Sequence, residues 1–151
     1  MTDDKKFMRL ALEEAGRAYE EGEVPIGAVL VDGSGILICG NHNRIEQTGD
    51  ATAHAEILVL REASAKIGRR LTNCTIYVTI EPCPMCAGAM VLSRVGRLVY
   101  GAVDSKFGAA ESIFNVVDNP ALNHQLKVTA GVLEFDCREI LQKFFTERRT
   151  K

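Results

Sequence analysis

The spacing of apolar residues along the chain separates helices from strands. Phe7, Leu10, Ala11 and Ala18 recur at helical spacing over about 4–21, and Gly22 supplies a stop. Two apolar runs, 26–31 and 36–39, flank Asp32-Gly33-Ser34-Gly35 and read as a β-hairpin. Helical spacing returns over 54–67 and ends at Gly68. The stretch 74–79, rich in Thr, Ile, Tyr and Val, reads as a buried strand. A helix follows over about 84–92, with Pro84 at its permissive first turn. Next come a strand at 97–101 and an irregular stretch over 107–123 with one short helix around 112–117. A fifth strand at 127–131 and a helix over 137–148 close the chain. Strands alternating with helices predict an α/β layered domain with one mixed sheet. No repeat, low-complexity stretch or linker interrupts it, so 1–151 reads as one domain.

With 151 residues, 46% hydrophobic and 25% charged, the composition is that of a globular protein with a sizeable core. No apolar run approaches a membrane span. Met1-Thr2-Asp3-Asp4-Lys5-Lys6 lacks the apolar centre of a secretion signal, so a cytoplasmic location is expected. Five cysteines, an odd number in a chain too long for a small disulfide scaffold, read as thiols or metal ligands. Cys39, Cys74 and Cys137 lie in or beside apolar segments and are expected to be core. The net charge of −2 gives no overall basic footprint for nucleic acid. Cations nevertheless gather late, at Arg94, Arg97, Lys106 and Lys127, then Arg138, Lys143, Arg148, Arg149 and Lys151. A solvated helix end, whose dipole favours cations, accounts for the terminal group equally well.

The chemistry is concentrated in His54-Ala55-Glu56 and Pro82-Cys83-Pro84-Met85-Cys86. One imidazole and two thiolates make three protein ligands for zinc and leave the fourth tetrahedral position to water, the count of a catalytic site. Cys83 and Cys86 are three apart, so one helical turn puts them on one side. A helix N-terminus there favours thiolate. Two thiolates formally cancel the charge of Zn²⁺, so its water should be less acidic than on a three-histidine zinc, where the pKa falls from about 16 to about 7. A carboxylate base is then needed, and Glu56 supplies one: it can take the water proton, pass it to a ring nitrogen and protonate departing ammonia. Two other readings exist, a redox pair and half of a structural zinc site completed by His42 or His124. A redox pair usually follows a first strand, whereas this one follows a third. A structural site gains nothing from an unligated Glu56.

The H-x-E…P-C-x-x-C pattern is the signature of zinc-dependent nucleobase deaminases, and its flanks narrow the resemblance. Gly22-Glu23-Val24-Pro25-Ile26-Gly27-Ala28-Val29, Thr52-Ala53-His54-Ala55-Glu56, Glu81-Pro82-Cys83-Pro84-Met85-Cys86-Ala87-Gly88-Ala89-Met90 and Gly101-Ala102-Val103-Asp104 resemble the bacterial tRNA-specific adenosine deaminases. So do Asn119-Pro120-Ala121-Leu122-Asn123-His124 and Phe144-Phe145 with Arg148-Arg149. The resemblance spans nearly the whole chain. It implies a cytidine-deaminase-like fold, three layers α/β/α around a mixed five-stranded sheet, and a homodimer with one Zn²⁺ per subunit. It also implies conversion of adenosine to inosine at the wobble position of a tRNA anticodon stem-loop. By position, His54, Cys83 and Cys86 would hold zinc and Glu56 would move the proton. Asn43 would hydrogen-bond the flipped adenine, with the Ala55 N–H at the reacting base. Asp104, Lys106, Phe114, Asn123 and His124 would line the groove for neighbouring nucleotides.

Plainer roles stand beside these: Asn43 as a turn residue after a strand, Phe114 as core. Two positions depart from the family pattern. Ala51 stands where many members have proline, which should loosen the loop before the zinc helix. Glu111 stands where small or apolar residues are common, and its carboxylate would oppose a nearby phosphate. The competing function is deamination of a free base or nucleoside of guanine or cytosine type. A non-catalytic zinc-stabilised RNA-binding module is a third. An anticodon loop already exposes its bases, so extruding one costs a few kcal/mol or less. No DNA partner is expected.

Overall fold

The computed structural model describes the chain from Thr2 to Arg149. Its elements are α1 (Thr2–Glu20), β1 (Gly27–Val31), β2 (Leu37–His42), α2 (Ile45–Thr48), α3 (Ala55–Ile67), β3 (Thr75–Ile80), α4 (Pro84–Leu92), β4 (Arg97–Ala102), β5 (Lys127–Thr129) and α5 (Glu134–Arg149). The sheet runs β2-β1-β3-β4-β5. β1 is antiparallel to both its neighbours, while β3, β4 and β5 are parallel. The mixed five-stranded sheet is therefore as expected.

The inner strands read as unbroken apolar runs because both sheet faces are covered. Leu30, Ile76, Val78, Leu98 and Tyr100 pack with Val59, Leu60 and Met90 of α3 and α4. The alternate residues Val29, Val31, Tyr77 and Val99 pack with Phe7, Met8, Ala11 and Cys137 of α1 and α5. Two cores make three layers. Gly27 permits the close approach of α1, since a Cβ there would lie 2.1 Å from the Ala11 carbonyl oxygen. Arg97 donates to both Asp4 carboxylate oxygens at 2.9 and 2.7 Å, and the Tyr77 hydroxyl donates to the same group at 3.0 Å. This ties α1 to β3 and β4 and removes Arg97 from the cations free to meet RNA. Cys39, Cys74 and Cys137 are buried thiols, as expected. Among the described residues no helix is long and apolar enough to cross a membrane.

Two elements differ from the expectation. The short helix at 112–117 is absent, and turns replace it. The amides of Ala110, Glu111 and Ser112 go to the Glu81 carboxylate, and those of Ile113 and Phe114 both go to the Gly108 carbonyl. The Val116 amide, which would donate to Ser112 in such a helix, goes instead to the Ala109 carbonyl at 2.9 Å, so no i→i−4 ladder starts. Conversely α2 forms without a periodic signal, because buried Glu23 accepts the amides of Glu46 and Gln47 at 3.0 and 2.8 Å. The remaining boundaries shift by at most three residues, and β2 continues to His42.

Candidate active site

The start of β1 and the ends of β2, β3 and β4 meet at one edge of the sheet. For the parallel strands this is the C-terminal edge, where open α/β sheets place their sites. His54 is the N-cap of α3 and Cys83 the N-cap of α4, with Pro84 locking the first turn. The His54 ring makes no capping bond to α3, and it meets the Cys83 and Cys86 sulfurs between the two helix ends. His54 Nδ1 lies 3.6 Å from Cys83 Sγ and 3.5 Å from Cys86 Sγ. Zinc bonds of about 2.1 Å to nitrogen and 2.3 Å to sulfur at tetrahedral angles require about 3.6 Å between those atoms. The triangle already has the size of a zinc site.

Among the described residues no fourth ligand joins it. His42 is held by Glu14 at Nδ1 (2.7 Å) and Glu21 at Nε2 (2.9 Å). His124 Nε2 donates to the Val95 carbonyl at 2.7 Å. The structural-zinc reading thus loses both of its candidate ligands.

Electrostatics suit the same reading. A hydrogen bond from Cys86 brings the Cys83 thiol down to about 4 against the effect of burial, and His54 adds to it. That hydrogen bond and burial push Cys86 up, so without a cation the two sulfurs share one proton. Metal binding displaces such a proton. The His54 ring is raised chiefly by Cys83 and also bonds the Ala51 backbone, which orients the imidazole. Glu56 is 3% exposed, and burial pushes its carboxyl up to about 7. A carboxyl that exchanges its proton near neutrality is suited to general acid/base work.

The other anticipated residues separate into three groups. Asn43 is buried and its Oδ1 accepts the Ala55 N–H at 2.8 Å. That bond satisfies the first orphan amide of α3 and leaves the Asn43 amide nitrogen as that side chain's donor group. Ala55 N–H, expected at the reacting base, is therefore engaged by Asn43. Asp104 and Lys106 sit just past β4. Asp104 Oδ1 caps the amides of Lys106 and Phe107, both at 3.1 Å, and Lys106 is exposed. Phe114, Asn123 and His124 lie on the long loop before β5. Phe114 is 44% exposed and so is not core, and Asn123 is exposed. No hydrogen bond among the described residues joins these three to the metal-site side chains.

The structure gives roles to two residues that sequence patterning did not single out: buried Glu23 accepts the first amides of α2, and buried Glu81 accepts amides of the loop after β4. Their only signal was an acid beside an apolar strand. Phe145, Lys106, Arg148 and Arg149 line a depression of about 450 Å³. Phe145 packs edge-on against Phe144 at 5.5 Å, Arg148 lies 4.6 Å over the Phe144 ring, and Arg148 donates to the Gly22 carbonyl at 2.8 Å. Arg138 is instead paired with Glu134, Lys143 lies over Tyr19, and Lys151 lies outside the described residues. Glu111 accepts the Tyr100 hydroxyl at 2.5 Å.

Comparison with known proteins follows the same lines. Residues 2–149 match the MafB19-like deaminase family model. The tRNA-specific adenosine deaminase of Bacillus subtilis is 49% identical over 152 residues, covering all of this chain and 94% of that protein. A solved tRNA:A34 deaminase superposes with a TM-score of 0.86 at 47% identity, over 90% of this chain and 99% of its own. A guanine deaminase from Nitrosomonas europaea superposes at 0.78 with 27% identity, over 94% of this chain and 84% of its own. The architecture is common to base deaminases, and the higher identity falls on the enzymes that act on tRNA. The chain belongs to the tRNA-specific adenosine deaminase family, among the MafB19-like deaminases.

Proposed function

We propose that this protein converts adenosine to inosine at the wobble position of a tRNA anticodon, with one Zn²⁺ per subunit. The observation that carries the reading is the three-ligand triangle of His54, Cys83 and Cys86 with buried Glu56 two residues beyond the histidine. Bound there, zinc would supply Lewis acidity toward a water molecule. Glu56 accepts a proton from the attacking water and delivers it to a ring nitrogen of the purine. The C6–O bond forms, Glu56 takes the second proton from the new C6 hydroxyl and passes it to the amine, and the C6–N bond breaks, so water and adenosine yield inosine and ammonia. The Asn43 amide nitrogen offers a donor to the extruded base, held in register by the Ala55 amide.

Single-stranded RNA is bound by cations on phosphates and aromatic faces on bases. The depression around Phe145, with Lys106, Arg148 and Arg149, offers both. Asp104, Phe114, Asn123 and His124 complete the groove for the flanking nucleotides. The homodimer uses the outer faces of α3 and α4, where Ile57, Leu60, Ala89 and Leu92 line an apolar groove and Leu92 is 82% exposed. A second copy is the occupant that the family resemblance supplies. The protein works in the cytoplasm, beside its tRNA.

The fold shared with guanine deaminase keeps one rival, a free-base enzyme. Zinc-loaded protein is incubated with an anticodon stem-loop bearing adenosine at the first anticodon position, and separately with adenosine, cytidine and guanine. Inosine in the RNA with little ammonia from the small molecules is the expected result. Faster turnover of guanine would replace the reading.

A further inference from the structure

Glu81 directly follows β3, two residues before the ligand Cys83, and is 1% exposed. Its carboxylate accepts the amides of Asp104 (3.1 Å), Ala110 (3.1 Å), Glu111 (2.8 Å) and Ser112 (2.9 Å), together with the Ser112 hydroxyl. Its own amide donates to the Ala102 carbonyl at 2.8 Å, and the Ala109 amide donates to the Pro82 carbonyl at 2.8 Å. The 104–112 loop, which has no helix or strand of its own, is thus wrapped around one buried anion beside the metal ligands. Gly108 marks the closest approach: a Cβ there would lie 2.4 Å from Glu81 Cδ and Oε1. A carboxylate is the acceptor-only group able to take this many donors at once, and its neutral amide presents N–H to some of them. The loop's outer surface carries Lys106 into the depression with Phe145, Arg148 and Arg149.

We infer that Glu81 is a positioning residue for the RNA: by gathering the 104–112 amides beside Cys83, it sets where Lys106 stands relative to the base being deaminated. The inference rests on the tRNA reading above. It makes Glu81 and Lys106 a functional pair although no contact joins their side chains. Loss of the anchor should make the contribution of Lys106 disappear with it.

The test is a double-mutant cycle on steady-state kinetics with the adenosine-bearing stem-loop, using wild type, Glu81→Gln, Lys106→Ala and the double variant, with zinc content measured for each. Glu81→Gln is expected to keep its zinc and to raise KM about tenfold, with a smaller fall in kcat. Lys106→Ala is expected to raise KM in the wild-type background but by no more than about twofold on top of Glu81→Gln. Effects that simply multiply would show that Glu81 only supports the fold, and would overturn the inference. Should Glu81→Gln lose zinc, the same cycle is run with Gly108→Ala, which displaces the loop from its own side with Glu81 intact. Multiplication there overturns the inference as well. Wild-type protein that makes no inosine in the stem-loop overturns the tRNA reading and this inference together, whereas active wild type with multiplying variants overturns only the role of Glu81.

Discussion

At the scale of single residues, chemistry and scaffolding are shared between neighbours in ways that substitution can separate. Glu56 is buried against Cys83, His54 and Cys86, and no other carboxylate among the described residues joins that group, so its proposed proton transfer has no substitute nearby. Glu56→Gln should retain zinc while turnover falls by at least about 10²–10⁴-fold. Ammonia release and metal content measured on one sample decide this, and near-wild-type turnover removes the role. Asn43 combines a cap for α3 with a donor for the purine. Asn43→Ala loses both, so activity should fall and stability drop by about 1 kcal/mol. Asn43→Asp keeps the oxygen for Ala55 but has no N–H to offer, so activity should fall with the melting temperature nearly kept. Loss of zinc from either variant would reassign Asn43 to holding the site together.

At the scale of elements, buried carboxylates fasten pieces that periodicity alone would leave loose. Hydrogen bonds from Arg97 and Tyr77 outweigh burial and hold the Asp4 carboxyl below its usual range. Burial alone would raise Glu23, yet the amides of Glu46 and Gln47 bring it below its usual range as well. Each group then binds its proton less readily folded than unfolded. Its stabilisation is complete above the ordinary carboxyl range near pH 4 and is lost as pH falls through the depressed native values. Urea unfolding between about pH 5 and 3 should show a decline that Asp4→Asn flattens, at a cost of about 2 kcal/mol near neutrality. An unchanged pH profile in that variant would remove the ion pair from the account. The loop before α3 carries Ala51 without the family's proline. It is pinned instead by Asp50, which accepts the Thr52 amide and hydroxyl at 2.8 and 2.7 Å.

At the scale of the whole molecule, a net charge of −2 and a local cationic depression set the terms for RNA. Lys106, Arg148 and Arg149 are the cations placed around Phe145, so the proposed RNA contact would engage few phosphates. The logarithm of stem-loop affinity should fall with the logarithm of salt with a slope of about −2. A slope near zero would contradict electrostatic binding there. The apolar groove between α3 and α4 makes a separate demand. If the proposed homodimer uses that groove, wild type should sediment as a dimer and Leu92→Asp as a monomer; a dimeric variant would move the interface elsewhere, and a monomeric wild type would remove the dimer.

Much of this protein was legible along the chain because metal chemistry and strand burial are local. The ligand set needs only residue type and short spacing, and α4 begins and ends where Pro84 and the apolar pattern placed it. Apolar runs announced the inner strands because helices cover both faces of the sheet there. The resemblance supplied the substrate class, which spacing does not contain. Tertiary structure alone decided the loops. Glu81 reaches amides 23 to 31 positions away, Glu23 reaches those 23 and 24 away, and Asn43 meets Ala55 across 12. The absent helix at 112–117, the unforeseen α2 and the engaged Ala55 amide share one cause. A backbone donor goes to the best acceptor that folding brings near: a side chain distant in sequence for Ser112, Glu46, Gln47 and Ala55, and the Gly108 and Ala109 carbonyls for Ile113, Phe114 and Val116.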